Sequence, residues 1–200
     1  MAAKLIVIEG PDRVGKFTQS MLLASSLNLK YKPKDAIARR VEVPYKSFFT
    51  YPLIYRMLRT GSAATWPNLF QFVQFLNKFM FQIIVLPWLM LKYKYVIFDR
   101  WALSAVIYGD AGNASPRFNR FLYSMLKKPD ATIVLVGNAR GECNEDVYER
   151  NKIMQTLVRI GYYDWANKNV NDAVKVDAAG EKATIHTHII NALVEKGIVQ

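Results

Sequence analysis

The residues with the clearest chemical content lie between positions 4 and 19. Gly10-Pro11-Asp12-Arg13-Val14-Gly15-Lys16 has the spacing G-x-x-x-x-G-K of a phosphate-binding loop. Its two glycines let the backbone curl so that successive N–H groups point inward at phosphate oxygens. The residues behind it read as a helix whose positive end aims at the same place, and Lys16 adds a mobile charge for the outer phosphates. The next position normally carries a Ser or Thr whose hydroxyl ligates Mg²⁺; here it is Phe17. Thr18 is no simple substitute, because one helical step turns a side chain by about 100°. It is expected to face the inner phosphate instead. A magnesium ion would then lean on water, on phosphate and on a carboxylate from elsewhere in the chain.

Such a loop works only between rigid elements. Leu5-Ile6-Val7-Ile8 is apolar without alternation, the pattern of a strand buried on both faces of a parallel sheet. Further strands are expected at 36–43, ending at Pro44, and at Tyr95–Asp99, Ala131–Val136 and Ala173–Asp177. Helices are expected at 47–59, closed by Gly61, at 66–92 with a kink or stop at Pro87, and at 118–126, 148–167 and 182–196. Strands alternating with helices predict an α/β fold with a five-stranded parallel sheet flanked by helices. Ligands of such sheets bind beyond the carboxyl ends of the strands. The glycine loop, Pro44, Asp99-Arg100 and the segment after Val136 all fall there.

Two hundred residues with 52% hydrophobic content fit one domain, 1–200. The single cysteine, Cys143, leaves no intramolecular disulfide and no cysteine-based zinc site, which suits a cytoplasmic location. The first strand begins at once, so no signal peptide is expected. The most apolar run, 79–91, is interrupted by Gln82 and Pro87 and is too short to span a bilayer. A net charge of +11 could mark a nucleic-acid surface. The Lys and Arg residues are scattered rather than blocked, however, and small polyanions account for them as well. His186 and His188 stand on different faces of the last helix, and neither they nor Cys143 is assigned a role.

Five segments occur in a fixed order. They are IEGPDRVGK with Asp12 and Arg13 inside the loop; Val43-Pro44-Tyr45-Lys46; Asp99-Arg100-Trp101 followed by Ser104; Pro129-Asp130; and Arg140-Gly141 with Tyr148-Glu149, Gln155 and Arg159. Together they resemble the thymidylate kinase family of P-loop nucleoside monophosphate kinases. The resemblance runs from the first strand to about Tyr163. It implies a three-layer fold of P-loop NTPase type with a short lid at about 137–150, ATP as co-substrate with Mg²⁺, and a homodimer.

Phosphoryl transfer needs two substrates placed in line and the charge on the moving group neutralised. Gly10 to Thr18, with Lys16, would hold the donor, and Arg13 would reach the transferred group. Asp99 is a natural carboxylate for magnesium or its waters, and Arg100 would clamp the acceptor's phosphate. Asp12 would orient the acceptor sugar or the arginines around it. By resemblance, Lys46 stands where an arginine meets the monophosphate, keeping the charge but losing the bidentate fork. Ser104 belongs to the same signature and Tyr108 lies near the base pocket. By the same resemblance Tyr148 would pack under the sugar and disfavour a 2′-hydroxyl, and Glu149 would follow as a lid carboxylate. Arg140 would lie near the donor adenine, where a guanidinium can stack on the base, and the backbone around Ala179 would approach the same adenine.

The family stacks an aromatic residue on the acceptor base and reads the base edge with an arginine four residues later. Phe70, Phe72, Phe75 and Phe79 are candidates for the first role, with Phe75 chosen; no arginine follows, and Gln74 or Lys78 would have to substitute. The leading reading is an enzyme that phosphorylates a deoxynucleoside 5′-monophosphate, dTMP or a related, modified pyrimidine. The alternative is a nucleotide-binding protein of the same fold with little turnover, which Phe17, Lys46 and the absent arginine favour. A kinase acting on bases within DNA is a third, weaker reading. Helix 66–91 carries enough apolar residues for a dimer face.

Overall fold

The structure is a computed structural model that describes residues 3–30, 37–138 and 151–199. Five strands form one parallel sheet: β1 (Lys4–Glu9), β2 (Ala38–Glu42), β3 (Tyr95–Asp99), β4 (Ala131–Val136) and β5 (Ala173–Asp177), in the order β2-β3-β1-β4-β5. β1 lies at the centre because both its faces are apolar. Ile6 and Ile8 pack with Leu23, Leu27, Ile185 and Ile189 on one side. Leu5 and Val7 pack with Phe81, Leu86, Phe98 and Trp101 on the other. The registers Glu42↔Asp99, Ile8↔Asp99 and Ile8↔Ile133 bring the carboxyl ends of four strands to one edge. Glu9, Glu42 and Asp99, which end three of these strands, are therefore delivered to the same edge.

Among the described residues nine helices flank this sheet. They are α1 (Lys16–Lys30), α2 (Thr50–Thr60), α3 (Ser62–Thr65), α4 (Pro67–Ile84), α5 (Leu86–Lys92), α6 (Ala102–Ala111), α7 (Pro116–Ser124), α8 (Lys152–Lys168) and α9 (Lys182–Glu195). The helix expected at 66–92 divides at Val85, and its halves are bent by 42°. Pro87 has no N–H to give the carbonyl of Ile83, so the ladder fails before the proline is reached. α6 was not foreseen; its sequence ALSAVIYGDA is apolar on most sides and gives no helical stripe. No single helix among the described residues is long and apolar enough to cross a membrane.

Candidate active site at the carboxyl edge of the sheet

Gly10 has φ 147° and Gly15 φ 101°, both in the range that side chains rarely adopt. Gly10 is also crowded, since a Cβ there would lie 2.5 Å from the carbonyl oxygen of Leu135. The loop is thus laid directly on the end of β4. α1 opens at Lys16, with the Gln19 N–H bonded to the Gly15 carbonyl at 3.0 Å. Pro11, Val14 and Lys16 are buried, Asp12, Arg13, Gly15 and Thr18 are half-buried, and Phe17 is 59% exposed.

Arg13, Gly15, Lys16, Phe17, Thr18, Asp99 and Arg100 line a hollow of about 550 Å³. The Lys16 ammonium donates to the Pro11 carbonyl. Burial, together with the Arg100 guanidinium, lowers its pKa to about 7. Arg13 has φ 63° and makes no hydrogen bond or ion pair among the described residues. Arg100 likewise has φ 71°. A non-glycine residue in this region is strained by about 1–3 kcal/mol. Here the turn sends the Arg100 side chain back from the end of β3 over the phosphate loop.

Arg100 is the hub of a polar network. It pairs with the Asp12 carboxylate and donates to the Gly10 carbonyl at 3.1 Å and to Ser104 Oγ at 3.2 Å. Tyr108 donates to the other Asp12 oxygen at 2.6 Å, and Gln155 to the same oxygen at 3.1 Å. Burial pushes the Asp12 pKa up, but Arg100, Lys16 and those two hydrogen bonds outweigh it and hold the carboxyl below its ordinary value. Beneath lies Glu9, which accepts the Trp101 N–H at 2.8 Å, the Ser104 hydroxyl, and the Tyr162 hydroxyl at 3.3 Å. Desolvation drives the Tyr108 and Tyr162 pKa values well above 10.0, so both phenols remain donors.

Asp99 meets a different partner. Arg40 on β2 donates through Nη2 to Asp99 Oδ2 at 2.9 Å and through Nε to Ser20 Oγ at 2.7 Å. Its guanidinium carbon lies 4.3 Å from the centroid of the Phe17 ring.

The remaining candidates are distributed more widely. Lys46 stands outside the hollow, more than half exposed and paired with Glu42 at 3.4 Å. Phe75 is 5% exposed, its ring stacked on Phe79 and edge-on to Tyr123. Lys78 is buried and donates to the Trp101 carbonyl at 2.7 Å. Ala179 is exposed after β5, its N–H on Asp177 at 2.8 Å. Arg140, Tyr148 and Glu149, and most of the lid, lie outside the described residues. Sequence reading overlooked Glu9, Arg40 and Tyr162. A charge closing an otherwise apolar strand was the signal for Glu9, and an arginine within an expected strand for Arg40.

No family model matches the sequence. Among solved structures the chain is similar to thymidylate kinase from Candida albicans, at 22% identity and a TM-score of 0.79, over 98% of this chain and 93% of that one. It is also similar to thymidylate kinase from Ehrlichia chaffeensis, at 22% identity and a TM-score of 0.69, over 96% of this chain and 100% of that one. Across nearly its whole length, then, the chain has the fold of the thymidylate kinases.

Proposed function

We propose that this chain is a nucleoside monophosphate kinase of the thymidylate kinase type, moving a phosphoryl group from ATP to a deoxynucleoside 5′-monophosphate. The observation that carries the reading is the convergence of Arg13, Lys16 and Arg100 on one hollow at the carboxyl edge of the sheet. Phosphoryl transfer asks chiefly for positioning and charge neutralisation, and three cations around one cavity supply both. Lys16 and the loop N–H groups hold the donor's outer phosphates. Arg13, free of protein partners among the described residues, turns to the group in flight. Arg100, oriented by Asp12 and Ser104, presents the acceptor's phosphate.

The acceptor is dTMP or a closely related, modified pyrimidine deoxynucleotide, met on the side of the site where Tyr108 stands over Asp12. The Candida albicans enzyme is described as having broad substrate specificity, which supports an acceptor panel rather than one nucleotide. When bound with the donor, magnesium would supply charge neutralisation for its phosphates. The residues present do not match a protein-held ion. Phe17 has no ligand atom, an Asp99 oxygen is taken by Arg40, and no group of three His, Cys, Asp or Glu among the described residues could hold a metal. A homodimer through the exposed apolar residues of α4 and α5 belongs to the same proposal.

The test is ADP release from ATP against a panel of deoxynucleoside monophosphates. Release that depends on the monophosphate is the expected result, and none with any acceptor would refute the proposal. A second reading, nucleotide binding without turnover, is favoured by Phe17 and by the occupied Asp99, and predicts ATP binding with no ADP formed.

A further inference from the structure

Lys78 is out of place in the core. The buried side of α4 that carries it also carries Phe70, Val73, Phe75 and Phe81, and Lys78 is 2% exposed among them. A lysine is almost never this deeply buried without a paired charge, yet Lys78 makes no ion pair among the described residues. Burial lowers its pKa to about 8, with Glu9 favouring the charged form. The Tyr123 ring centroid lies 5.2 Å from the ammonium. Apolar side chains fill such positions without desolvating a charge, so packing alone gives no reason for this one.

What the ammonium holds is a single backbone atom. Lys78 Nζ donates to the Trp101 carbonyl at 2.7 Å. The Trp101 N–H goes to Glu9 Oε1 at 2.8 Å, and the indole N–H to the Lys127 carbonyl at 3.0 Å. Trp101 is thus fastened to α4, to β1 and to the segment before β4. The residue in front of it is Arg100, whose own N–H donates to the Ile8 carbonyl at 3.0 Å and whose φ is 71°. Such a conformation persists only where its surroundings over-determine it. Ile8 fixes the turn on one side, and Lys78 with Glu9 fixes it on the other. The course of the Arg100 side chain toward Gly10, Asp12 and Ser104 follows from that turn.

We propose that Lys78 is a positioning residue: through the Trp101 carbonyl it holds the Arg100 turn so that the guanidinium meets the acceptor's phosphate. The ammonium that stood as a substitute for the absent edge-reading arginine is spent on the backbone, and it reads no base. The proposal rests on the assignment of Arg100 to the acceptor's phosphate.

Two variants of the full chain test it, Lys78→Met, of similar length and without a donor, and Lys78→Gln, shorter and uncharged. Circular dichroism identifies which of them folds, and either one decides. Calorimetric titration is run with dTMP, with dCMP, whose base presents a different edge, with deoxyribose 5-phosphate, which has no base, and separately with ATP. The expected result is a loss of about tenfold that is the same for all three monophosphates. ATP should weaken by no more than about threefold, since Lys16 and the loop N–H groups stay in place. Unchanged monophosphate binding would overturn the proposal. A loss confined to one base would also overturn it and make Lys78 a base contact, and an equal loss for ATP would reduce it to a structural residue. These outcomes leave the kinase reading standing, whereas wild-type protein that binds no monophosphate would overturn both.

Discussion

Lys16 and Lys78 are ammonium groups enclosed by protein, and both titrate low for that reason. Burial, with Arg100 adding repulsion, brings Lys16 to about 7; burial, with Glu9 opposing and Arg100 assisting, brings Lys78 to about 8. In the unfolded chain each returns to 10.5, so between these values the unfolded state holds protons that the folded state has released. Folding stability must therefore rise with pH across that window. Tyr108 and Tyr162 reverse the trend, because the folded state keeps their protons above pH 10.0 while the unfolded chain gives them up. Thermal melts should show the midpoint climbing from pH 7 toward 10 by an amount equivalent to a few kcal/mol, then falling. A midpoint that declines steadily from pH 7 would contradict the enclosure of these lysines. Ligand binding carries the same signature. A polyanion favours the charged ammonium of Lys16, so ATP should bind with proton uptake above pH 7, seen as a dependence of calorimetric heat on buffer.

At the scale of elements, the segment after β2 depends on a single amide. Asn77 of α4 accepts the Tyr45 N–H at 2.7 Å and donates to the Tyr45 carbonyl at 3.1 Å and to Thr50 Oγ1 at 2.8 Å. It is fully buried and holds Pro44 and Tyr45 against the long helix. Asn77→Leu leaves the Tyr45 N–H unpaired and its carbonyl with only the Phe48 N–H at 3.4 Å, and should lower stability in urea denaturation by about 1–3 kcal/mol. Sequence patterns could not show this clasp, because it joins positions 32 apart that share no local motif. The strands were legible, since uninterrupted apolar runs between turn residues have few other solutions. Gly10, Gly15 and Lys16 were legible as well, because their spacing is fixed by phosphate geometry. Phe75 and Lys78 show the limit: an aromatic residue at helical spacing reads alike whether it faces a ligand or the core. Arg40 shows another, since a β-strand pattern says which residues alternate and not that one of them meets Asp99 and the Phe17 ring.

The whole molecule leaves a broad apolar surface on the α4–α5 arm. Trp66, Leu69, Phe72, Ile83, Ile84, Trp88 and Leu91 are all exposed, and Leu91 is 89% so. Exposed apolar side chains in this number are what the proposed homodimer would cover. Sedimentation equilibrium should find twice the 22.9 kDa chain mass, and Trp88→Glu with Leu91→Glu should reduce it to one chain without loss of helix signal. A wild-type protein that sediments as one chain would remove the dimer from the proposal. Arg100 has a consequence at the same scale. On the proposed reading it grips the seat of one guest, through Gly10 and Asp12, with the same side chain that would meet the other. Whatever firmness the first arrival lends to this shared lever, the second must return in equal measure, because such coupling is reciprocal. On the proposed reading, the two substrates would be tied to each other's affinity before any phosphorus has moved.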